Sequence, residues 1–111
     1  MCATGRLLRD LPIAEDEVFE TLVQKGAVRI ERITSKGHSS PPGFWYDQDE
    51  DEWVMVMAGR ATLVIEGRDQ PVVLRPGDWL ELPAHTRHRI VETDADEATV
   101  WLAIFYPAKE R

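Results

Sequence analysis

The chain has 111 residues, 43% of them hydrophobic and 30% charged, which is enough for one domain with a modest core. Its formal net charge of −7 disfavours nucleic acid and anionic membrane surfaces as partners, because both favour basic proteins. A single cysteine, Cys2, permits no disulfide within the chain. With this single cysteine we expect a reducing, cytoplasmic setting, and we find neither a signal-peptide core nor an apolar run of about 18 residues.

The first predicted element is a short helix near the N-terminus. Acidic residues open the segment 15–23, which suits the positive end of a helix dipole. Val18, Phe19 and Leu22 would share one face of this helix and contact the core. We therefore expect residues 1–26 to form an arm and a short helix that pack on the rest of the domain.

After the arm, the hydrophobic pattern changes to a period of two and to short apolar runs between glycine and proline turns. These patterns predict strands at 28–31, 44–46, 52–57, 60–65, 72–74, 79–82, 88–93 and 99–106. Short strands with such turns indicate an all-β barrel or sandwich over residues 27–107, followed by a tail at 108–111. An immunoglobulin-like sandwich is the alternative, although its Cys, Trp, Cys spacing is absent.

Two segments carry spacings that resemble the cupin superfamily. Gly77, Pro83 and His88 have the spacing of the second cupin motif, and Glu52 and Gly59 have the spacing that ends the first motif. The resemblance implies a small single-domain cupin, whose fold is a jelly-roll barrel, also called a double-stranded β-helix. It implies little about activity, because one barrel hosts many chemistries.

The first of these motifs is incomplete, because the two histidines that precede the glutamate are missing. Trp45 and Asp47 stand in their places, or Tyr46 and Gln48 if the gap is one residue shorter, and both assignments stay open. In the second motif, His85 stands where the family pattern has a glycine. The chain therefore resembles cupins that have lost part of their metal motif.

Strand parity predicts which side chains line the barrel. If Glu52 points inward, Val54 follows it; if His88 points inward, Ile90 follows it, and Leu63 faces them from the next strand. Apolar walls with a few polar groups are typical of a ligand pocket. The predicted pocket consists of Val54, Leu63, Ile90 and the aromatic residues Trp45 and Tyr46, which differ in parity.

Glu52 and His88 form the best-supported functional pair, since a carboxylate and a neutral imidazole can share a divalent cation. Asp47 and Gln48 are the candidates for the missing oxygen ligands. The predicted cofactor is therefore a divalent metal ion, with Mn, Fe, Ni and Zn as the options. The alternative is that Glu52 and His88 are a hydrogen-bonded buried pair at the barrel mouth.

A small molecule is the expected ligand, and three functions stay open. A metal-dependent enzyme would be a dioxygenase, isomerase or lyase, with His88, His85 and Tyr46 as candidate catalytic residues. A cavity without metal would serve small-molecule binding or regulation, and a metal-free acid–base pair would serve isomerisation or epimerisation. A homodimer is also expected, because strands rich in Trp and Val need cover.

Overall fold

The computed structural model describes residues 2–108, which form eight antiparallel strands and contain no helix. The strands are β1 (Val18–Lys25), β2 (Val28–Ser35), β3 (Glu50–Ala58), β4 (Ala61–Ile65), β5 (Val72–Leu74), β6 (Trp79–Leu82), β7 (His88–Thr93) and β8 (Thr99–Pro107). One sheet has five strands in the order β1-β2-β8-β3-β6, and the other has three in the order β5-β4-β7. The predicted all-β fold is confirmed.

Of the tail predicted at 108–111, residues 109–111 lie outside the described residues. Nowhere in residues 2–108 does the chain form a helix able to cross a membrane.

The predicted N-terminal helix is wrong, because this segment forms β1. The strand pairs with β2 in antiparallel register, with one bulge in its middle. Three of its residues, Val18, Thr21 and Val23, are β-branched and therefore favour strand over helix. Gly26 has a φ of 56° and begins the two-residue turn of the β1–β2 hairpin, where a positive φ is required.

The predicted aromatic strand at 44–46 is reduced to an isolated bridge between Tyr46 and His88. The Tyr46 amide donates to the His88 carbonyl over 2.7 Å, and the His88 amide donates to the Tyr46 carbonyl over 3.1 Å. The other predicted strands overlap β2 to β8, although β2 extends to Ser35. The bridge fixes the loop at Tyr46 against the start of β7.

The hydrophobic core lies between the two sheets. Along β3, Val54 and Val56 are buried in this core, whereas Trp53 and Met55 on the other face are only half-buried. Gly59 has a φ of 80° and turns the chain from the larger sheet into the smaller one. The core members are Ile33, Val54, Val56, Ala61, Leu63, Ile65, Leu74, Leu82, Ile90, Trp101, Ala103 and Phe105.

The N-terminal arm is held on the outer face of the larger sheet by Arg32. The Arg32 guanidinium donates to the carbonyls of Leu7 over 3.1 Å and Arg9 over 2.9 Å. It also pairs with the Glu20 carboxylate on β1 over 2.8 Å. These bonds satisfy a buried charge and fix the arm over the middle of β2.

Candidate functional site

A cavity that is partly open to solvent lies between the two sheets. Most of its lining is apolar and comes from Phe19, Ile33, Val54, Leu63, Leu82, Ile90, Trp101 and Phe105. Five polar residues complete the lining: Glu17, Tyr46, Gln48, Glu52 and His88. Apolar walls with a few polar groups are the usual composition of a small-molecule site.

Glu52 is the buried carboxyl of the cavity and is only 7% exposed. Burial raises its pKa to about 7, because an ionised carboxylate loses hydration there. The Gln48 amide donates to Glu52 Oε1 over 2.8 Å and opposes this rise, as does the charge of Arg29. Near neutral pH the group therefore exists in both its protonated and its ionised form.

His88 begins β7 and is 4% exposed. Its Nδ1 lies 2.8 Å from the Thr86 carbonyl, which can only accept, so Nδ1 carries the proton. Burial lowers the pKa of His88, and the hydrogen bond to Thr86 only partly opposes this effect. A neutral imidazole whose Nε2 is an acceptor therefore faces the cavity.

Tyr46 lies directly over His88, with ring centroids 5.3 Å apart and an angle of 19° between the planes. Burial raises the pKa of Tyr46 to about 12, and the carboxylates of Glu17 and Glu52 add to the rise. The phenol thus remains protonated at physiological pH. It presents a hydroxyl group to the same cavity as Gln48, Glu52 and His88.

Sequence reasoning missed Glu17 and Phe19 as cavity residues, because it assigned their segment to a helix. In the structure, both side chains line the cavity from the start of β1. The Ser35 hydroxyl donates to the Glu17 carboxylate, and Trp101 Nε1 donates to Ser35 Oγ over 3.1 Å. The spacing of two between Glu17 and Phe19 was the signal that could have placed them on one face of a strand.

The loop at 45–48 alternates between the cavity and the outside. Tyr46 and Gln48 line the cavity, whereas Trp45, predicted as a pocket residue, does not. The Trp45 ring instead lies near two guanidinium groups, 5.3 Å from that of Arg87 and 6.0 Å from that of Arg89. The structure thus selects one of the two alignments that the sequence left open.

Asp47 and His85, the candidate ligand and the candidate acid–base residue, lie outside the cavity and bond to each other. His85 Nδ1 is 2.7 Å from Asp47 Oδ1, and both side chains are exposed. His85 has a φ of 62°, and its amide donates to the Gln48 carbonyl over 2.8 Å. These bonds fix the rim of the cavity and hold the backbone of Gln48.

The cavity residues do not fit the expected metal site. Within residues 2–108, no three His, Cys, Asp or Glu side chains come close enough together to hold a metal ion. Catalytic metal sites usually take three protein ligands. The candidate Asp47 lies at the rim, and the Gln48 amide donates to Glu52.

Comparisons with known proteins agree with this architecture. A family model described as "Cupin domain" matches residues 29–105. A structure from Ralstonia eutropha JMP134, provisionally named a mannose-6-phosphate isomerase, is 52% identical, covers 96% of this chain and 100% of its own, and has a TM-score of 0.93. No curated protein sequence matches.

More distant structures share the fold alone. An RmlC-like cupin with a double-stranded β-helix from Methanocaldococcus jannaschii is 21% identical, covers 96% of this chain and 93% of its own, and has a TM-score of 0.70. A cupin superfamily protein from Desulfitobacterium hafniense DCB-2 is 23% identical, covers 96% and 94%, and has a TM-score of 0.72. Because the family model spans well over half of its 111 residues, the chain belongs to the cupin family.

Proposed function

We propose that the cavity binds a small organic molecule that is neutral or positively charged, without the help of a metal ion. The observation that carries this proposal is the charge of the cavity lining, which holds the carboxyl groups of Glu17 and Glu52. No Lys or Arg is among the lining residues that the structure describes. Such a site disfavours anions, because nothing offsets the cost of removing their hydration.

Arg29 is a cation close to this lining, since its guanidinium lies 4.3 Å from the ring centre of Phe105. Two carboxylates already bind it, Glu31 at 2.6 Å and Glu50 at 3.1 Å. A phosphate group would therefore compete with two ion pairs and also meet the two carboxyls of the cavity. A phosphate ester such as mannose 6-phosphate is therefore a poor candidate ligand for this chain.

A thermal-shift screen tests the proposal with neutral sugars, polyols and small amines in one arm and mannose 6-phosphate in the other. We expect the melting temperature to rise with members of the first arm and to stay unchanged with the phosphate. The variant H88Q should weaken the stabilisation, because it alters a polar group of the cavity. The control R87Q changes the neighbouring residue outside the cavity and should retain it. Stabilisation by mannose 6-phosphate alone would overturn the proposal.

Acid–base isomerisation or epimerisation is the second candidate function. Glu52 favours this function, because its pKa of about 7 lets it give or take a proton near neutral pH. His88 favours it as well, because its Nε2 can accept a proton. A ligand from the screen that carries a carbonyl should then exchange its adjacent C–H proton in D2O, as followed by proton NMR. E52Q and H88Q should abolish the exchange and R87Q should not. Exchange that survives in both cavity variants would exclude this function.

The divalent metal expected from the sequence is tested separately by calorimetric titration with Mn, Fe, Ni and Zn. We expect no binding heat that depends on the cavity, because no third His, Cys, Asp or Glu side chain joins Glu52 and His88 among the described residues. Any heat should be the same for the natural protein and for H88Q. Binding that is lost in H88Q would instead restore the metal-dependent hypothesis.

A further inference from the structure

The polar lining of the cavity is rich in hydrogen-bond acceptors. Glu17 and Glu52 each contribute a carboxyl group, which only accepts when it is ionised. His88 is 4% exposed and adds a third acceptor, because its Nδ1 carries the proton and no group within residues 2–108 donates to its Nε2. In the same part of the chain, Gln48 donates to Glu52 only at Oε1. We therefore expect the ligand to carry donors, because a buried acceptor without a donor costs free energy.

Glu17 is held at the cavity by two buried side chains. Ser35 is 0% exposed and Trp101 is 3% exposed. Ser35 Oγ accepts a hydrogen bond from Trp101 Nε1 over 3.1 Å and donates its own proton to the Glu17 carboxylate. A hydroxyl group has a single proton, so the bond from the indole directs that proton towards Glu17. The carboxylate therefore has a fixed position before any ligand binds.

Glu17 also differs from other acidic residues of the larger sheet in its lack of a cation. Glu20, Glu31 and Glu50 each pair with an arginine over 2.6 to 3.1 Å. No Lys, Arg or His among the described residues forms such a pair with Glu17. Burial and the nearby Glu17 carboxylate both raise the pKa of Tyr46, so an uncharged phenol lies beside it. The charge of Glu17 is thus left for a ligand.

We infer that the ligand of this cavity is a small primary amine in its protonated form, whose ammonium group binds Glu17. The inference rests on the proposed function, which allows neutral and positively charged ligands alike. An ammonium group has three N–H donors and a positive charge, so it matches a lining of acceptors that contains a fixed carboxylate. The rings of Phe19 and Trp101 line the same cavity and suit the carbon chain of such an amine.

Titration followed by NMR tests the inference with three ligands of similar size: butylamine, 1-butanol and butyrate. At about pH 7.5 butylamine is protonated, 1-butanol is neutral and butyrate is negatively charged. We expect butylamine to bind about 10-fold more tightly than 1-butanol, because hydrogen bonds between charged groups are stronger than those between neutral ones, and butyrate not to bind. The indole N–H signal of Trp101 should shift with butylamine, since Ser35 links this group to Glu17.

A matched pair of variants tests the role of Glu17. E17Q removes the charge but keeps the size of the side chain and an oxygen that can accept from Ser35. It should remove most of the preference for butylamine over 1-butanol, a loss of about 10-fold. The control D16N removes the same charge from the neighbouring residue, which is exposed and outside the cavity lining, and it should keep the preference. Circular dichroism melts check that both variants fold.

The outcomes separate this inference from the proposed function. Equal binding of butylamine and 1-butanol to the natural protein would overturn the inference and leave the proposed function standing, whether or not E17Q folds. A preference for butylamine that E17Q retains would do the same. Binding of butyrate alone, or of no compound either here or in the thermal-shift screen, would overturn both.

Discussion

On the inner face of β3, Glu52, Val54 and Val56 are buried, whereas Trp53 and Met55 on the outer face remain half-buried. Both faces are rich in apolar side chains, so hydrophobicity alone does not distinguish them. What distinguishes the inner face of β3 is that its polar residue, Glu52, is buried beside the cavity and accepts a hydrogen bond from Gln48. Chemistry is therefore expected on the inner face.

The largest effect should come from a matched pair of leucines on the two faces. Leu63 is 1% exposed on β4, whereas Leu102 is half-buried on the outer face of β8. L63A should lower the free energy of unfolding by about 2–5 kcal/mol, because it leaves a hole in packed surroundings. L102A should lower the free energy of unfolding by only about 1 kcal/mol, since substitutions at the protein surface usually cost little.

Chemical denaturation with urea measures both values. Equal losses in dilute solution would contradict the distinction between the two faces. Leu63 also lines the cavity, so the L63A variant should be tested for ligand stabilisation as well.

Strand parity explains why much of the inner face could be predicted from sequence. Once Glu52 and His88 were assigned inward by their motif spacing, Val54, Leu63 and Ile90 followed, and all five line the cavity. These positions lie within regular strands, where the alternation of faces is strict. The all-β class of fold followed in the same way from short apolar runs and turn residues, although the predicted strands included 44–46 and lacked β1.

The loop and the first strand could not be predicted, for different physical reasons. Trp45 and Tyr46 belong to no regular strand, so their directions depend on the single bridge to His88, which joins residues far apart in sequence. Val18, Phe19 and Leu22 fit the period of a helix as well as they fit an irregular strand. The bulge in β1 breaks the strict alternation that would have identified it.

The second prediction concerns the polar part of the inner face. The pKa of Glu52 is about 7 when folded, against 4.5 for an ordinary glutamate, so the folded protein favours the protonated carboxyl. The stability that this preference contributes is complete below about pH 4.5 and is lost as the pH rises through about 7. E52Q should therefore be more stable than the natural protein at about pH 8, by up to about 3 kcal/mol, and equally stable at about pH 4.

Urea denaturation across this pH range measures the effect. The control is E81Q on the outer face of β6, where the carboxylate is exposed and accepts a hydrogen bond from Tyr106 over 2.7 Å. It should not show the gain at high pH that is expected for E52Q. A stability difference between E52Q and the natural protein that is constant with pH would show that burial does not control Glu52.

The smallest effect is expected at the rim of the cavity, where the backbone of His85 has an unfavourable conformation. Its φ of 62° is costly for residues with a Cβ atom, by about 1–2 kcal/mol, and glycine avoids this cost. H85A and H85G both remove the imidazole and its bond to Asp47, but only H85G relieves the backbone. H85G should therefore be more stable than H85A by about 1 kcal/mol. Part of this gain is offset, because glycine increases the conformational entropy of the unfolded chain.

Urea denaturation of the two variants compares their stabilities directly. Equal stabilities would mean that the rim has relaxed to another conformation. The cavity should bind its ligand equally well in both, because the side chain of His85 lies outside it.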